Sequence, residues 1–518
     1  MSKPKKYGVI YNWDGAPHGS NEYPQSMEQF LDKMYDPLAD TQVGAHFWCT
    51  GEDTSRWKSK VLELTGDAEN RKYENTSSYI TSENVRAMIE RGEDPQAEAI
   101  KRGHELGMDV YASIRMNDNH FNGLQIDEIP NSKNISLTQM RRDHPEWMLG
   151  EKTHDWFAVS WNMEVPEIRE YRFNHVKEVC SLWDWDGVEL DWQRHNFHLP
   201  NDDAYRLRYV LTDLQRAIRQ ATNEIAKKRG RPFYLAARVS GTLEMSRRIG
   251  YDIPTWVDEG LVDILIPSGG SGTDPLMDIE EYVEMCNGTD IDVYGAIYGS
   301  TPGHCPGPED EDTKNRMLTR GIANNIFEKG AVGTYCFNWH SDKEYRRELL
   351  NQIGSTETLK STDKIYAATH RTLRNTGPWR KAEVNDRIYG PVPVALKKTL
   401  TGDGPTIGLD IPDDLQSAKP KNIELRIRLD QWVKGDGINI YLDEKIIEPD
   451  QIEYTDHESK RGASVSPNVW MRFDLTETGF TKGNHTVKVV LVERTAMVTS
   501  DIIVTDVELV VRYNPFNT

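Results

Sequence analysis

The sequence predicts a (β/α)8 TIM barrel followed by a C-terminal all-β sandwich of a jelly-roll-like type. Eight short β-type segments alternate with helical segments over roughly the first 350 residues, which is typical of such a barrel with insertions. The glycine-rich first turn of a doubly wound dinucleotide-binding sheet is missing. Beyond residue 361 the β-type segments continue without helices between them.

The segment 185–195 is the centre of the prediction. Within it, Val188, Leu190 and Trp192 alternate with polar residues, which is the period of a β-strand with two different faces. Helical segments precede and follow it, so this strand is expected to be parallel to its neighbours and covered by helices on its apolar side. Glu189 and Asp191 then point into the sheet interior, where unpaired carboxylates are costly, and this favours a functional role over a structural one.

The remaining elements follow in order. The predicted barrel strands cover residues 6–13, 43–49, 108–115, 185–195, 232–240, 261–267, 292–298 and 330–340. Helices are predicted at 82–106 (broken by Pro95), 167–182, 203–228, 254–259, 278–286 and 312–329. The polar region 121–163 is predicted to be a long functional loop.

The C-terminal part has a different predicted secondary structure, with β-type segments and turn signals but no helical segments. Its predicted strands cover 423–429, 438–442, 469–475, 485–492 and 502–513, separated by turn signals. The predicted domains are therefore a barrel at 1–360, a linker at 361–381 and a β-sandwich accessory domain at 382–518. Packing support for the barrel is the simpler role for the sandwich, and ligand binding stays open as the alternative.

Composition limits the partners. The net charge of −20 and a pI near 5.2 argue against nucleic acid or an anionic membrane. Apolar runs stay short of the ~18 residues that a membrane helix needs. The first residues lack the apolar core of a secretory signal. The compartment stays open: cytoplasmic as the sequence stands, or periplasmic or secreted if a signal was trimmed. The five scattered cysteines indicate buried thiols.

In a (β/α)8 barrel, the side chains at the C-terminal ends of the strands form the active site. This rule maps the candidate substrate-binding residues to Asn12, Asp14, Trp48, Arg115, Asn117, Asn119, His120, Gln193, Arg194, His195, Arg238, Tyr298, Asn338, Trp339 and His340. His46 and Ser268 fall on the same map. Trp faces suit the C–H surfaces of sugar rings, and amide, acid and Arg groups suit sugar hydroxyls. The set therefore predicts an oligo- or polysaccharide ligand.

The chain also resembles a known family at these residues. The segments DGVELDW at 186–192 with Arg194 and His195 after it, SIRMNDNH at 113–120 and HPEWMLG at 144–150 are similar to bacterial glycoside hydrolase-like (β/α)8 proteins. PEIREYR at 166–172 and GYDIPTWVDEGLVD at 250–263 carry the same resemblance. It covers roughly residues 108–270 and implies a barrel and a glycosidase. The strand-four segment departs from the related chitinase pattern, because Gln193 stands where that pattern has its acid.

Glycoside hydrolysis commonly uses two carboxyl groups, one as proton donor and one as nucleophile or base. Asp191 is the predicted nucleophile or base, as in α-galactosidase-like barrels, and Glu189 is expected to orient a neighbouring arginine such as Arg115 or Arg238. Glu244 is the third predicted catalytic residue. The other candidates for the acid are Asp14, Asp118, Asp274 and Asp342, with His120 and His195 as alternative proton donors.

Two other functions stay open, with neither a cofactor nor a metal expected in the main hypothesis. His120, His195 and His340 with Asp191 would suit a metal-dependent hydrolase or deacetylase, although the HxH and HExxH motifs are missing. A non-catalytic glycan-binding barrel is the second alternative. The predicted site is rich in Arg and His although the protein is acidic, and this favours an anionic glycan, sulfated or uronic, as the substrate. The oligomeric state is not predicted.

Overall fold

Eight parallel strands close into a barrel in the computed structural model, which describes residues 3–15, 23–67, 70–153, 155–269, 273, 275, 277–299, 309–341, 343–370, 390–457 and 466–513. The strands are β1 (Val9–Trp13), β2 (Val43–Gly51), β3 (Asp109–Arg115), β4 (Gly187–Asp191), β5 (Tyr234–Ser240), β6 (Ile264–Ser268), β7 (Asp292–Tyr298) and β8 (Gly333–Phe337). Because β1 pairs with both β2 and β8, the eight strands form a closed barrel. Two short strands, Thr54–Ser55 and Glu63–Leu64, extend the sheet beyond the end of β2. The predicted barrel is confirmed.

Helices connect these strands. The described α-helices of the barrel are Met27–Tyr35, Thr76–Glu90, Pro95–Glu105, Gln139–Asp143, Pro166–Leu182, Arg208–Arg229, Leu243–Arg248, Ile253–Asp258, Ile279–Met285, Glu311–Glu328, Glu344–Leu349 and Thr356–Leu359. None of the helices in the described chain has the length and apolar character to cross a membrane.

Several segments differ from the sequence prediction, among them the unpredicted helices Leu243–Arg248, Glu344–Leu349 and Thr356–Leu359. Helix Met27–Tyr35 was not predicted, and a capping box between Ser26 and Gln29 starts it. The predicted helix 82–106 is two helices, and the second begins at Pro95, which suits the first turn of a helix because it needs no N–H donor there. The predicted loop 121–163 contains one α-helix, Gln139–Asp143, and the short 3-10 segments Ile126–Asn131, Pro145–Trp147, Gly150–Lys152 and Asp155–Phe157.

The barrel strands have two different faces. On β4, Val188, Leu190 and Trp192 pack into the core between the strands and the surrounding helices, as predicted. The barrel interior is lined near its N-terminal end by aromatic rings, among them Tyr7, Phe47, Tyr111 and Tyr294. This apolar plug closes the bottom, so the polar interior groups of β3, β4 and β5 are accessible only from the C-terminal mouth.

The C-terminal domain is a β-sandwich, as predicted. One sheet contains β9 (Lys364–Ala367), β10 (Val394–Leu396), β12 (Asn422–Asp430), β15 (Gln451–His457), β16 (Ser466–Asp474) and β18 (Ile502–Arg512). The other contains β11 (Thr406–Ile411), β13 (Gly437–Leu442), β14 (Lys445–Ile447) and β17 (Gly483–Glu493). A separate apolar core lies between them. A short helix, Leu415–Ala418, connects β11 to β12.

The barrel and the sandwich meet through buried ion pairs. Glu309 accepts from Arg426 at 2.9 Å, and Lys314 lies 3.1 Å from Glu508. Strand β9 falls inside the predicted linker 361–381 but pairs with β18, so the sandwich begins earlier in the chain than predicted. The rest of that linker from 371 onward, and residues 382–389, lie outside the described residues. Cys49, Cys180, Cys286 and Cys336 are buried free thiols, while Cys305 lies outside the described part.

Candidate functional site

Glu189 is buried in the middle of the barrel. Ser113 Oγ and Asn12 Nδ2 donate to its Oε2 at 2.5 and 2.9 Å, and the Tyr335 hydroxyl donates to its Oε1 at 2.6 Å. Burial first, and then the negative charge of Asp191, raise the pKa of Glu189 to about 7. The structure therefore places Glu189, and Asn12 with it, below the level that a ligand at the mouth would reach.

Asp191 lies above Glu189, and both of its carboxylate oxygens accept hydrogen bonds. Arg238 donates to both of its carboxylate oxygens, from Nε at 2.9 Å and from Nη2 at 2.8 Å. The backbone N–H groups of Gln193 and Arg194 add bonds of 3.0 Å to Oδ1. The side chain is 0% exposed. A nucleophile needs an oxygen lone pair facing the substrate, so this arrangement suits a positioning role better than the nucleophilic role predicted from the sequence.

Arg115 connects the buried layer to the mouth. Its Nε lies 4.0 Å from Asp191, its Nη2 donates to Asp14 at 2.7 Å, and its Nη1 donates to Glu52. Burial alone would raise the pKa of Asp14, but the Arg115 charge outweighs burial and lowers it. The side chains of Asp14 and Glu52 are 22% and 16% exposed, which makes them accessible carboxylates at this end of the barrel.

His120 is held by two carboxylates. Its Nδ1 lies 2.7 Å from Asp118 and 2.6 Å from Glu52, and its side chain is 34% exposed. Burial opposes protonation, but the charges of Glu52 and Asp118 outweigh it and raise the pKa of His120 to about 10. The same pairing holds the pKa of Glu52 well below its usual range, against the effect of burial. An oriented imidazolium beside a carboxylate is an arrangement suited to proton transfer.

One group of donor atoms could hold a metal ion. Asp118, His120 and His195 each offer a ligand atom, and the three atoms lie within 4.8 Å of one another. The His195 Nδ1 lies 3.4 Å from the Asn117 carbonyl oxygen, and Asp118 Oδ2 is buried without a hydrogen-bond partner among the described residues. The sequence predicted two of these ligands, His120 and His195. The other two predicted ligands, Asp191 and His340, are not in the group.

Arg194 lies at the mouth beside His120. Its Nη2 is 3.4 Å from His120 Nε2, and its guanidinium carbon is 5.9 Å from the centre of the Phe337 ring. Burial and then repulsion from Arg115 lower its pKa. Within the described part of the chain it forms no ion pair.

Several predicted residues shape the site without facing its open side. Asn117 donates to the carbonyl oxygens of Trp161 and Phe197 at 3.0 Å, and so ties the β3 loop to two other segments. Asn119 Nδ2 donates to the Trp156 carbonyl oxygen, and Gln193 is buried. The Tyr298 hydroxyl donates to the Gly269 carbonyl oxygen and accepts from Arg238. Asn338, oriented to satisfy its neighbours, donates to Asp14 at 2.8 Å.

The predicted tryptophan platforms are not at the mouth. Trp48 faces outward from β2, is buried against Phe30 and donates to the Gly15 carbonyl oxygen. Trp339 is buried and donates to the Arg346 carbonyl oxygen. His46 also faces outward, and burial lowers its pKa to about 3. The corrections at His46 and Trp48 share one cause: Phe47 is the inward-facing residue of β2, so its two neighbours point away from the interior.

A cavity of about 690 Å3 lies beside the mouth, between β1, β8 and the helix Met27–Tyr35. Half-buried Trp13 and exposed His340 line it, together with Lys33. Asn12 points into the barrel, so its neighbour Trp13 points outward, and its ring packs against Phe30 of this helix. His340 lines this outer cavity, and its role in substrate binding stays a prediction.

The predicted acids lie in different places. Glu244 is exposed on the first turn of helix Leu243–Arg248, after β5. Asp274 and Asp342 lie outside the described residues. Glu52 was not predicted, because the second strand was expected to end at Cys49. Strand β2 continues to Gly51 and delivers Glu52 to the mouth. The sequence feature that could have revealed Glu52 is the acidic pair Glu52 and Asp53, which directly follows an apolar strand.

The contacts of Asp53 hold the backbone of the neighbouring Glu52 in place. The Asp53 carboxylate is buried between the guanidinium groups of Arg141 and Arg172 and accepts from Trp161 Nε1 at 2.9 Å. Arg172 also donates to the Glu52 carbonyl oxygen at 2.8 Å. This network locks the backbone at the end of β2, and with it the direction of the Glu52 side chain.

Solved structures with a similar fold include several glycoside hydrolases. An Anoxybacillus α-amylase is 11% identical with a TM-score of 0.39, covering 94% of this chain and 98% of its own. A chitinase from Chromobacterium violaceum is 11% identical with a TM-score of 0.36, covering 67% and 98%. An α-galactosidase from Geobacillus stearothermophilus is 12% identical with a TM-score of 0.33, covering 98% and 55%. No family model and no curated protein matches the sequence. At this low identity and TM-score, the role of a residue in these enzymes cannot be assigned to a residue of this chain.

Proposed function

We propose that this chain is a glycoside hydrolase that works at the C-terminal mouth of the barrel, with Asp14 as nucleophile or base and His120 as proton donor. The observation that carries the proposal is the arrangement around Arg115. One guanidinium binds two accessible carboxylates, Asp14 and Glu52, and the second of these also binds His120. A proton donor and a carboxylate on one face of a pocket are the two groups that glycoside hydrolysis needs.

The geometry suits the reaction. Asp14 and Glu52 bind neighbouring nitrogens of the same guanidinium, so their bonded oxygens are within roughly 8 Å of each other, given ordinary hydrogen-bond lengths. Glu52 in turn binds His120, so Arg115 and Glu52 together connect Asp14 to His120. Arg115 keeps Asp14 ionised, as a nucleophile or base requires. Asp118 and Glu52 fix the Nδ1 side of His120, which leaves Nε2 as the nitrogen that can give a proton to the leaving oxygen.

The buried carboxylates have supporting roles in this proposal. Asp191 fixes Arg238 and lies beneath Arg115, while Glu189 anchors the polar layer below. Trp13 lines the cavity outside β1, where the apolar side of a sugar ring could stack.

Incubation with a panel of neutral and charged polysaccharides, followed by detection of new reducing ends, tests this function. The proposal predicts turnover of at least one glycan that Asp14→Asn reduces at least a hundredfold. Binding without turnover would contradict it and would favour the glycan-binding alternative.

The same experiment, repeated after removal of metal ions, tests the metal-dependent alternative. The cluster of Asp118, His120 and His195 is the observation that favours it. Dialysis against a chelator should leave turnover unchanged if the proposal is correct. Loss of activity that Zn2+ or Mn2+ restores would instead assign the chemistry to a metal-dependent hydrolase or deacetylase.

A further inference from the structure

The three arginines of the site differ in how their charges are compensated. Arg238 is paired with Asp191 by two parallel hydrogen bonds and also donates to Ser268 and Tyr298. Arg115 is shared between carboxylates at the mouth. Both arginines are therefore paired with carboxylates of the protein, which is a structural reason for their presence.

Arg194 lacks such a partner. In the described chain it makes no ion pair, and its Nη2 lies 3.4 Å from His120 Nε2. Because a protonated His120 carries a hydrogen on Nε2, this contact joins two donors and is not a hydrogen bond. Its Nε is buried without a partner. A guanidinium has five N–H donors, so most of the donors of Arg194 are unused.

The position of Arg194 is nevertheless fixed. Its backbone N–H donates to Asp191 Oδ1 at 3.0 Å, and its guanidinium lies near the face of Phe337. Only a minor part of the residue is exposed, and Arg115 lies close enough to repel it. Asp14 and Glu52 attract this charge from a distance, but both already bind Arg115 directly. A second cation beside Arg115, largely out of water and without an ion pair of its own in the described chain, costs free energy that a bound anion would recover.

We propose that Arg194 binds the anionic group of a charged sugar, a carboxylate or a sulfate, next to the cleavage site. This inference rests on the proposed function and names its substrate class. A planar guanidinium binds carboxylate or sulfate oxygens through two parallel hydrogen bonds. The protein carries a net charge of −20, so it repels polyanions in general, and affinity for one requires a local cationic site. Of the three arginines that suggested an anionic glycan in the sequence, Arg115 and Arg238 form ion pairs, whereas Arg194 forms none with the described residues.

The test compares matched sugars and matched variants. The probes are D-glucuronate with D-glucose, and D-galactose 6-sulfate with D-galactose, titrated at 50 mM and 500 mM salt by calorimetry or ligand-observed NMR. The proteins are the full-length wild type, Arg194→Gln and the control Arg216→Gln, whose arginine is an exposed partner of Asp213 and Glu259 on an outer helix.

The wild type and Arg216→Gln should bind at least one charged sugar at least tenfold more tightly than its neutral counterpart at low salt, with a smaller ratio at high salt. Arg194→Gln should reduce that ratio to below about twofold. Whether the preference follows glucuronate or galactose sulfate identifies the anionic group. Equal binding of charged and neutral sugars by the wild type, no binding of either charged sugar, or an unchanged ratio in Arg194→Gln overturns the inference.

Failure of this inference is distinguishable from failure of the proposed function. Release of reducing ends from neutral glycans, without a preference for charged sugars, would overturn the anion site and leave the hydrolase. Binding of charged sugars that depends on Arg194, with no glycan cleaved, would overturn the hydrolase and leave the anion site.

Discussion

Glu189→Gln should change how stability depends on pH. Burial and the neighbouring charge of Asp191 raise the pKa of Glu189 from 4.5 to about 7, and Arg238 offsets only part of this. The folded protein therefore binds this proton more tightly than the unfolded chain does. The stabilisation is fully present below pH 4.5 and is lost as the pH rises through 7.

The magnitude follows from the two pKa values. Between pH 5 and pH 8, the wild type should lose about 2.5 kcal/mol of unfolding free energy from this group alone, since one pKa unit corresponds to about 1.4 kcal/mol. Glutamine keeps the shape and stays neutral, and the hydroxyls of Ser113 and Tyr335 can rotate to serve it. The variant's stability relative to the wild type should therefore rise by about that amount over this range.

Urea denaturation of both proteins at pH 5, 6, 7 and 8 measures this difference, with the exposed Glu224→Gln as the control. Subtracting the two curves removes every titration that they share. A difference that stays constant across this pH range would refute the reasoning and would mean that Glu189 is ionised throughout.

Three further outcomes are expected. Asp191→Asn should lower the unfolding free energy by about 3 to 5 kcal/mol, because it leaves Arg238 charged and buried; denaturant titration measures this, and a loss below about 1 kcal/mol would contradict the pairing. The double variant Asp191→Leu with Arg238→Met should recover most of that stability but not the turnover, because an apolar pair packs without a charge; a double variant no more stable than the single one would argue otherwise. His120→Gln should reduce kcat at least a hundredfold with KM changed by less than threefold, because a proton donor acts in the transition state; an equal change in both parameters would point to a binding role.

The fold was predictable because the periodicities along the chain are clear. Alternation in β4 gave the correct inward and outward faces, and the repeated β/α order gave the barrel. Helix Met27–Tyr35 was missed although Ser26 and Gln29 form a capping box, because only a few residues carry its apolar face. Strand β9 was missed because it is four residues long and its partner β18 is distant in sequence.

The site was predictable as a list of residues but not as a set of contacts. The apolar run at 43–49 has no alternation, so it could not show that Phe47 faces inward and Trp48 outward. The function of Asp191 depends on Arg238, which comes from the next strand, and no local pattern encodes that hydrogen-bonded pair. Glu52 needed the exact end of β2, and strand ends are the least reliable part of a sequence prediction.

The central claim is that Asp14 at the mouth, and not the buried Asp191, provides the catalytic carboxylate. The most direct test measures the rate of reducing-end release by Asp14→Asn, on the glycan that the wild type cleaves, with circular dichroism to check the fold. The account predicts a rate below one hundredth of the wild-type rate, a barrier increase of about 2.7 kcal/mol or more, with thermal stability almost unchanged. A folded Asp14→Asn protein that keeps more than a tenth of the rate would contradict it.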